Sequence, residues 1–446
     1  MFSHRIVKSL TSEYNGDDDN DLIDLLQNLE LNNLKDDYYR ECRKIYAENN
    51  YDHAAKFTSL FRDKYVCTNI TSMNVYVFYN HHWFIDHGLK YLINDIIHYR
   101  IKLANKYVER QHFIKDVCLH LYLNRFHDKL DDYKGILLNK IVFDTNKGIL
   151  RNGYPSDYIS LNTLVSPSSK YIDEVNEIIR DIFPNPDVYK YVLRFLGSLL
   201  IPRNRDKIFM VWSGDGDNGK SILMRLVELA LGEYSVKLPT STITGKRTGS
   251  SNATPDMALI ERKLVAFLQE PSNTERINIG IVKELTGNDT IYVRGLYEKG
   301  RNMSVLSKII YVVNSTDHLA TIEQATWNRI VVVPFSTTFV DNPNYPNEKK
   351  KNKLLLDKLR MYAPSLLQIM VDEAKEYLKY GLFKSIIVES NTNKIKGENN
   401  HVTNYLNMSD VSTNYPDFVQ YMRSFMPKEP IPSLKAFQKE LVNKHK

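Results

Sequence analysis

The stretch Ile208–Leu231 reads IFMVWSGDGDNGKSILMRLVELAL. Its first five residues, Ile208–Trp212, form a short continuous apolar run of the kind that makes a strand buried on both faces. Gly214-Asp215-Gly216-Asp217-Asn218-Gly219-Lys220-Ser221 then matches GxxxxGK[ST], and Ser221–Leu231 carries apolar residues at helical spacing. Strand, glycine-rich loop and helix in that order make a phosphate cradle. The glycines let successive backbone N–H groups face an anion, and the helix N-terminus adds the positive end of its dipole. In such a loop Lys220 reaches the β- and γ-phosphates and the Ser221 hydroxyl coordinates Mg²⁺. Asp215 and Asp217 must turn their carboxylates away from the nucleotide, because like charges repel. Glycine is scarce, 18 in 446 residues, so chance supplies on the order of 0.01 such matches in the chain. A phosphate loop alone still does not name a reaction.

Three further apolar runs lie downstream: Leu264–Leu268, Ile309–Val313 and Ile330–Val333. Rich in β-branched residues and separated by helical stretches, they complete a parallel sheet, which makes the core α/β. Ligands of such sheets collect beyond the carboxyl ends of the strands. Glu270, after Leu264–Gln269, is the acid at that edge, suited to hold Mg²⁺ or polarise the attacking water. The other reading is a solvated loop glutamate. Asn314, after Ile309–Val313, offers an amide to the γ-phosphate or the water, and is equally a turn former. Arg329, in Trp327-Asn328-Arg329, precedes the last strand, and an arginine delivered from a neighbouring subunit stabilises transition-state charge. Between these positions the spacing predicts a short helix and a hairpin with its tip at Arg294–Arg301. Arg294, Lys299 and Arg301 there suit a nucleic-acid backbone. From charge alone a solvated turn is the simpler reading.

Composition narrows the classes. Lys plus Arg exceed Asp plus Glu by 59 − 53 = 6, a mild excess that permits a polyanionic partner without demanding one. Three cysteines, Cys42, Cys67 and Cys118, lack ligand or disulfide-framework spacing, which points to a reducing compartment. No apolar run approaches the ~18–20 residues that cross a bilayer, and Met1–Thr11 lacks a signal-peptide core. The expectation is an intracellular protein, neither secreted nor membrane-bound. Asp17-Asp18-Asp19-Asn20-Asp21 reads as a solvated tip before a helix at Leu22–Leu34, and His81, His82 and His87 as structural or surface residues.

Four segments follow from the pattern: an acidic, helical extension (1–50), a mixed α+β domain (51–170), the phosphate-loop domain (171–340) and a mainly helical C-terminal region (341–446). Met73–Tyr79 alternates like a strand, and Ser166-Pro167-Ser168-Ser169 is the linker candidate. Glu174–Leu200 reads as two helices broken at Phe183-Pro184-Asn185-Pro186. Asn391–Lys446 shows no clear fold.

This set of motifs resembles the superfamily 3 helicases, in particular the poxvirus-type NTPases of large DNA viruses and related primase-helicases. The resemblance runs through Gly214–Ser221, the strand ending in Glu270, VKELTGNDTIYVR at Val282–Arg294, the strand ending in Asn314, and WNRIVVVPF at Trp327–Phe335. Looser likeness extends upstream through YVFYNHHW around Trp83, GILLNKIVFDTNKGIL at Gly135–Leu150, PSDYIS at Pro155–Ser160 and VLRFLGSLL at Val192–Leu200. It implies an AAA+-like ATPase core, ATP and Mg²⁺ as ligands, and a homo-hexameric ring unwinding DNA in viral replication. It also makes Arg329 a finger acting across the subunit interface and the hairpin the DNA-tracking element. Partners implied are single-stranded DNA in the ring channel and the viral primase and polymerase, at a replication site in host cytoplasm or nucleus. Many relatives carry two adjacent acids where this chain has Gln269-Glu270. Fifty residues before the α+β domain are too few for the primase that precedes many relatives, so the expectation is either a helicase-only protein or the helicase part of something longer. The alternative from another class is an ATP-switched DNA-loading or origin-binding scaffold without unwinding activity.

Overall fold

The computed structural model describes residues 50–123, 126, 129–244, 254–269, 277–296, 300–316, 319, 324–398, 401–408, 413–426 and 431–444. They divide into two compact units, one holding the described residues up to Lys129 except Asn80–His82, the other Asn80–His82 with Leu130 onward. The acidic cluster at Asp17–Asp21 and the helix expected at Leu22–Leu34 lie outside the described residues.

The first unit is α+β, as the alternation at Met73–Tyr79 implied. Strand Tyr65–Asn69 pairs antiparallel with Asn74–Tyr79, and His82–Ile85 completes a three-stranded sheet. Helices Asn50–Leu60, Lys90–Tyr99 and Tyr107–Leu121 bury Phe57, Leu92, Phe113 and Val117 with Tyr65 and Val77 of the strands. Cys67 and Cys118 are free thiols inside this core.

The second unit is built on a five-stranded parallel sheet. Two helices precede it, α1 (Ile172–Ile182) and α2 (Pro186–Ser198). Proline breaks the chain between them, and Asn185 starts α2 by accepting hydrogen bonds from the amides of Asp187 and Val188, with Pro186 where no donor is needed. The strands are β1 (Phe209–Ser213), β2 (Ser235–Leu238), β3 (Val265–Gln269), β4 (Lys308–Val313) and β5 (Ile330–Pro334), in the order β5-β1-β4-β3-β2, every pairing parallel. Helix α3 (Lys220–Leu231) follows β1, and α4 (Ile279–Thr286) lies between β3 and β4. The pleat sorts the apolar runs onto two faces. Met210, Trp212, Phe267 and Ile310 join the core formed with α1, α2 and α3, whereas Phe209, Val211, Leu268 and Tyr311 join one formed with α4 and the hairpin. A sheet covered on both faces accounts for the uninterrupted apolar interiors of β1, β3, β4 and β5.

Three expectations need correction. β2 is a fifth strand that no continuous apolar run announces. The division between units falls at Lys129/Leu130, not at 170. Residues 130–170 form a second small sheet, Gly135–Leu138 with Ile141–Asp144 and Ile149–Arg151, whose Ile136, Leu138 and Phe143 enter the same core as α1 and α3. Ser166–Ser169, expected as a linker, is held on both sides: Ser166 Oγ accepts from Asn139 and the Ser168 amide donates to Pro364 O. Third, residues 341–446 do not stand apart from 171–340. Helix α5 (Leu355–Tyr380) buries Leu359, Leu366, Met370 and Ala374 in the core shared with α2 and α3. Beyond it, helices His401–Leu406, Tyr415–Phe425 and Leu434–Lys444 gather around Tyr405, Phe418, Met422 and Phe437, an aromatic core that the polar composition concealed.

Candidate functional site

The phosphate loop stands where the sequence placed it, between Ser213 at the end of β1 and Lys220 at the start of α3. Two glycines answer specific geometric demands. A Cβ on Gly214 would lie 2.6 Å from Phe335 O, and Gly219 turns into α3 at φ +83 with Ile182 packed against it. Lys220 is buried. Its ammonium donates to Gly214 O at 2.5 Å and to Asn218 Oδ1 at 2.9 Å, so it sits folded under the arch of its own loop. Ser221, one residue on, is exposed at the first turn of α3. An exposed loop tip, a lysine beneath it and a hydroxyl at the helix start fit a nucleotide polyphosphate with its Mg²⁺.

A cavity of about 940 Å³ opens on this loop and is lined by Gly216–Ser221. Asn314 and Gln269 line it from the ends of β4 and β3, brought level because Val312 pairs with Gln269 across the sheet. Asn314 thus lies beside the loop as expected. Glu270 lies outside the described residues, next in the chain to Gln269. Gly214 and Asp215 are not among its lining residues. The remaining lining was not foreseen: Glu174, Glu177 and Asp181 of α1, with Lys350, Lys351 and Leu355. No motif marks these residues, although the basic run at Lys349–Lys353 is plain in the sequence. Asp217 turns its carboxylate to Lys351, 3.0 Å away.

The other candidates lie elsewhere. Arg329 precedes Ile330, which pairs with Phe209 at the start of β1, while the loop follows Ser213 at its end. About 13 Å of strand separates them within one chain. The Arg329 guanidinium donates to Lys283 O (3.0 Å) and Thr286 Oγ1 (2.9 Å), holding the last turn of α4. The expected hairpin is present: Thr290–Val293 pairs antiparallel with Arg301–Ser304. Ile291, Val293 and Met303 face the core and Tyr292 faces solvent. Arg294 is half-buried, and its backbone exchanges hydrogen bonds with Thr254. Arg301 pairs with Glu261 through two nitrogens, at 2.6 and 3.2 Å. Lys299 lies outside the described residues.

No protein-family profile matches the chain. Its sequence relatives come from large DNA viruses. It is 29% identical over 286 residues to 184R of Invertebrate iridescent virus 6, designated a candidate helicase, a match covering 59% of this chain and 29% of that protein. L207/L206 of Acanthamoeba polyphaga mimivirus, also designated a candidate helicase, is 28% identical over 312 residues, 66% of this chain and 32% of that protein. The chain therefore spans about a third or less of these relatives' length. Among solved structures, the C-terminal region of NrS-1 aligns with 88% of this chain and 85% of its own at a TM-score of 0.49 and 11% identity. Among the described residues, no helix is long and apolar enough to cross a membrane.

Proposed function

We propose that this chain is an ATP-dependent DNA helicase of viral genome replication that works as a ring, a homo-hexamer by its family likeness. The observation that carries the reading is the convergence of the phosphate loop, Asn314 and Gln269 on one cavity at the carboxyl edge of a parallel sheet. Viral relatives designated candidate helicases support it.

In this reading Lys220 exchanges Gly214 O and Asn218 Oδ1 for phosphate oxygens, which puts its charge where negative charge grows during phosphoryl transfer. Ser221 and Glu270 would hold Mg²⁺, which when bound would neutralise phosphate charge. Glu270 and Asn314 orient the attacking water. Arg329 of one subunit reaches the nucleotide of the next, a contribution worth ~10³–10⁵ in rate where such fingers operate. Arg294, Lys299 and Arg301 of the hairpin follow the DNA backbone, and of these Arg301 must first leave Glu261. Primase and polymerase of the replication machinery are the proposed partners. The chain acts at an intracellular replication site.

The test is DNA-stimulated ATP hydrolysis and duplex unwinding by the wild type and by Lys220→Ala. Loss of both in the variant is expected, and equal activity in both proteins would overturn the assignment. Slow, DNA-independent turnover with ATP-dependent assembly would instead favour a loading scaffold.

A further inference from the structure

Beyond β5 the chain folds back over the phosphate loop as a strap. Thr338–Val340 pairs in parallel with Glu348–Lys350, and the Lys351 amide donates to Val340 O at 2.8 Å. The strap is fastened to the loop by its backbone, since the Phe339 amide donates to Asp217 O at 2.7 Å. Side chains add two ion pairs, Lys351 Nζ to Asp217 Oδ1 at 3.0 Å and Lys349 Nζ to Asp181 Oδ1 at 3.3 Å. Lys350 and Lys351 both line the cavity. Its lining holds four carboxylates (Glu174, Glu177, Asp181, Asp217) and three ammonium groups (Lys220, Lys350, Lys351). Lys349, paired with Asp181 beside the lining, balances these charges, so which cation faces a polyphosphate is decided by placement.

We propose that Lys351 is a second phosphate-binding cation of the same subunit, held by Asp217 until a nucleotide arrives. This rests on the nucleotide-binding reading above. The Asp217–Lys351 pair is half open to water, its side chains 67% and 46% exposed, and pairs of that kind contribute little. A nucleotide triphosphate brings several negative charges to the same cavity. Asp217 is the fixed member: its backbone sits at φ +50 and its carbonyl is bonded to Phe339. Lys351 is the mobile member, because its ammonium rides on a flexible four-carbon stem whose root is pinned by Val340. Nucleotide binding therefore transfers Lys351 from Asp217 to the phosphates, and the strap comes to report the occupancy of the loop.

The rival account is that Lys351 only neutralises Asp217. A double variant separates the two. Binding of adenosine, ADP and a non-hydrolysable ATP analogue, each with Mg²⁺, is measured by calorimetry on the full chain. Lys351→Ala should weaken the ATP analogue about tenfold and leave adenosine nearly unchanged. Asp217→Asn should tighten the analogue several-fold, and asparagine tolerates the left-handed backbone at that position. The double variant should still bind more weakly than the wild type, regaining only the part that Asp217's own repulsion of the phosphates takes away. Wild-type affinity in the double variant, or no loss in Lys351→Ala, would overturn the proposal. If the wild type binds no nucleotide, or Lys220→Ala binds as the wild type does, the nucleotide-binding reading fails and the proposal with it. Circular dichroism of each variant excludes misfolding as the cause of a loss.

Discussion

Lys308 is a lysine inside the core, 2% exposed at the first position of β4. Its ammonium donates to Ser198 O (2.8 Å), Ile201 O (2.7 Å) and Arg203 O (3.1 Å) at and just beyond the end of α2, where Ser198 O also accepts the Ile201 amide. A cation there also complements the negative end of the helix dipole. Burial opposes the charge and pushes the Lys308 pKa down to about 7, with Asp206 pulling it back up. The sign follows from linkage. The folded value lies below the usual 10.5, so between these values the unfolded chain binds more protons than the folded one, and stability from this group rises with pH. Below about pH 7 the penalty is full. Replacing Lys308 by Met removes the titration and all three hydrogen bonds, and leaves the buried Ile201 carbonyl without this partner, at about 1–3 kcal/mol. The wild type should therefore be the more stable protein. Its advantage over Lys308→Met should grow between pH 7 and 9 by up to about 1.4 kcal/mol per pH unit, read from urea unfolding. A pH-independent difference would contradict this account.

At the scale of elements, β5 is an edge strand, and an edge exposes backbone groups that can recruit another chain. Helix Ile386–Glu398 covers it with side chains. The Val332 amide donates to Thr392 Oγ1 at 3.0 Å, and Asn391 Nδ2 donates to Val332 O at 3.0 Å. Replacing Asn391 by Ala and Thr392 by Val together should cost about 1–3 kcal/mol. It should also raise aggregation, measured by thermal melting with light scattering. Unchanged melting and scattering would mean that packing alone guards the edge. This contact also shows what sequence reading reaches. β1, β3, β4 and β5 were legible because strands buried on both faces must be apolar without interruption. β2 was not, since Ser235-Val236-Lys237-Leu238 alternates over only four residues at the opposite edge of the sheet. The loop and Asn314 were legible because local chemistry places them at strand ends. The lining residues Glu174 and Lys351 were not, because helix α1 and the strap meet the loop only through tertiary packing, which leaves no local spacing to read. The same holds for Asn391 and Thr392, which look like ordinary surface polar residues until Val332 is found beneath them.

At the scale of the whole molecule, the proposed ring raises the question whether one subunit would be a complete catalyst. Within one chain Arg329 immediately precedes β5 at the amino ends of the strands while the loop follows their carboxyl ends, so strand length alone keeps it from its own phosphate site. It rests instead on Thr286 and Lys283 at the end of α4, the helix that leads into the hairpin. A finger that leaves this position for a neighbour's nucleotide frees the end of α4, which ties nucleotide occupancy at one interface to the hairpin of the subunit that donates the arginine. Subunit mixing tests the dependence. Lys220→Ala alone has no competent loop and Arg329→Ala alone has no competent finger, so each homomeric ring should hydrolyse ATP at background rate. In a mixed ring, an interface that takes its loop from an Arg329→Ala subunit and its finger from a Lys220→Ala subunit is intact. Random mixing at equal amounts makes about a quarter of the interfaces of that kind in a closed ring with head-to-tail contacts. ATPase activity should therefore return to about that fraction of wild type and pass through a maximum near equal mixing. Background activity at every ratio, with both variants folded and assembling as the wild type does, would place the arginine's role at α4 within its own chain.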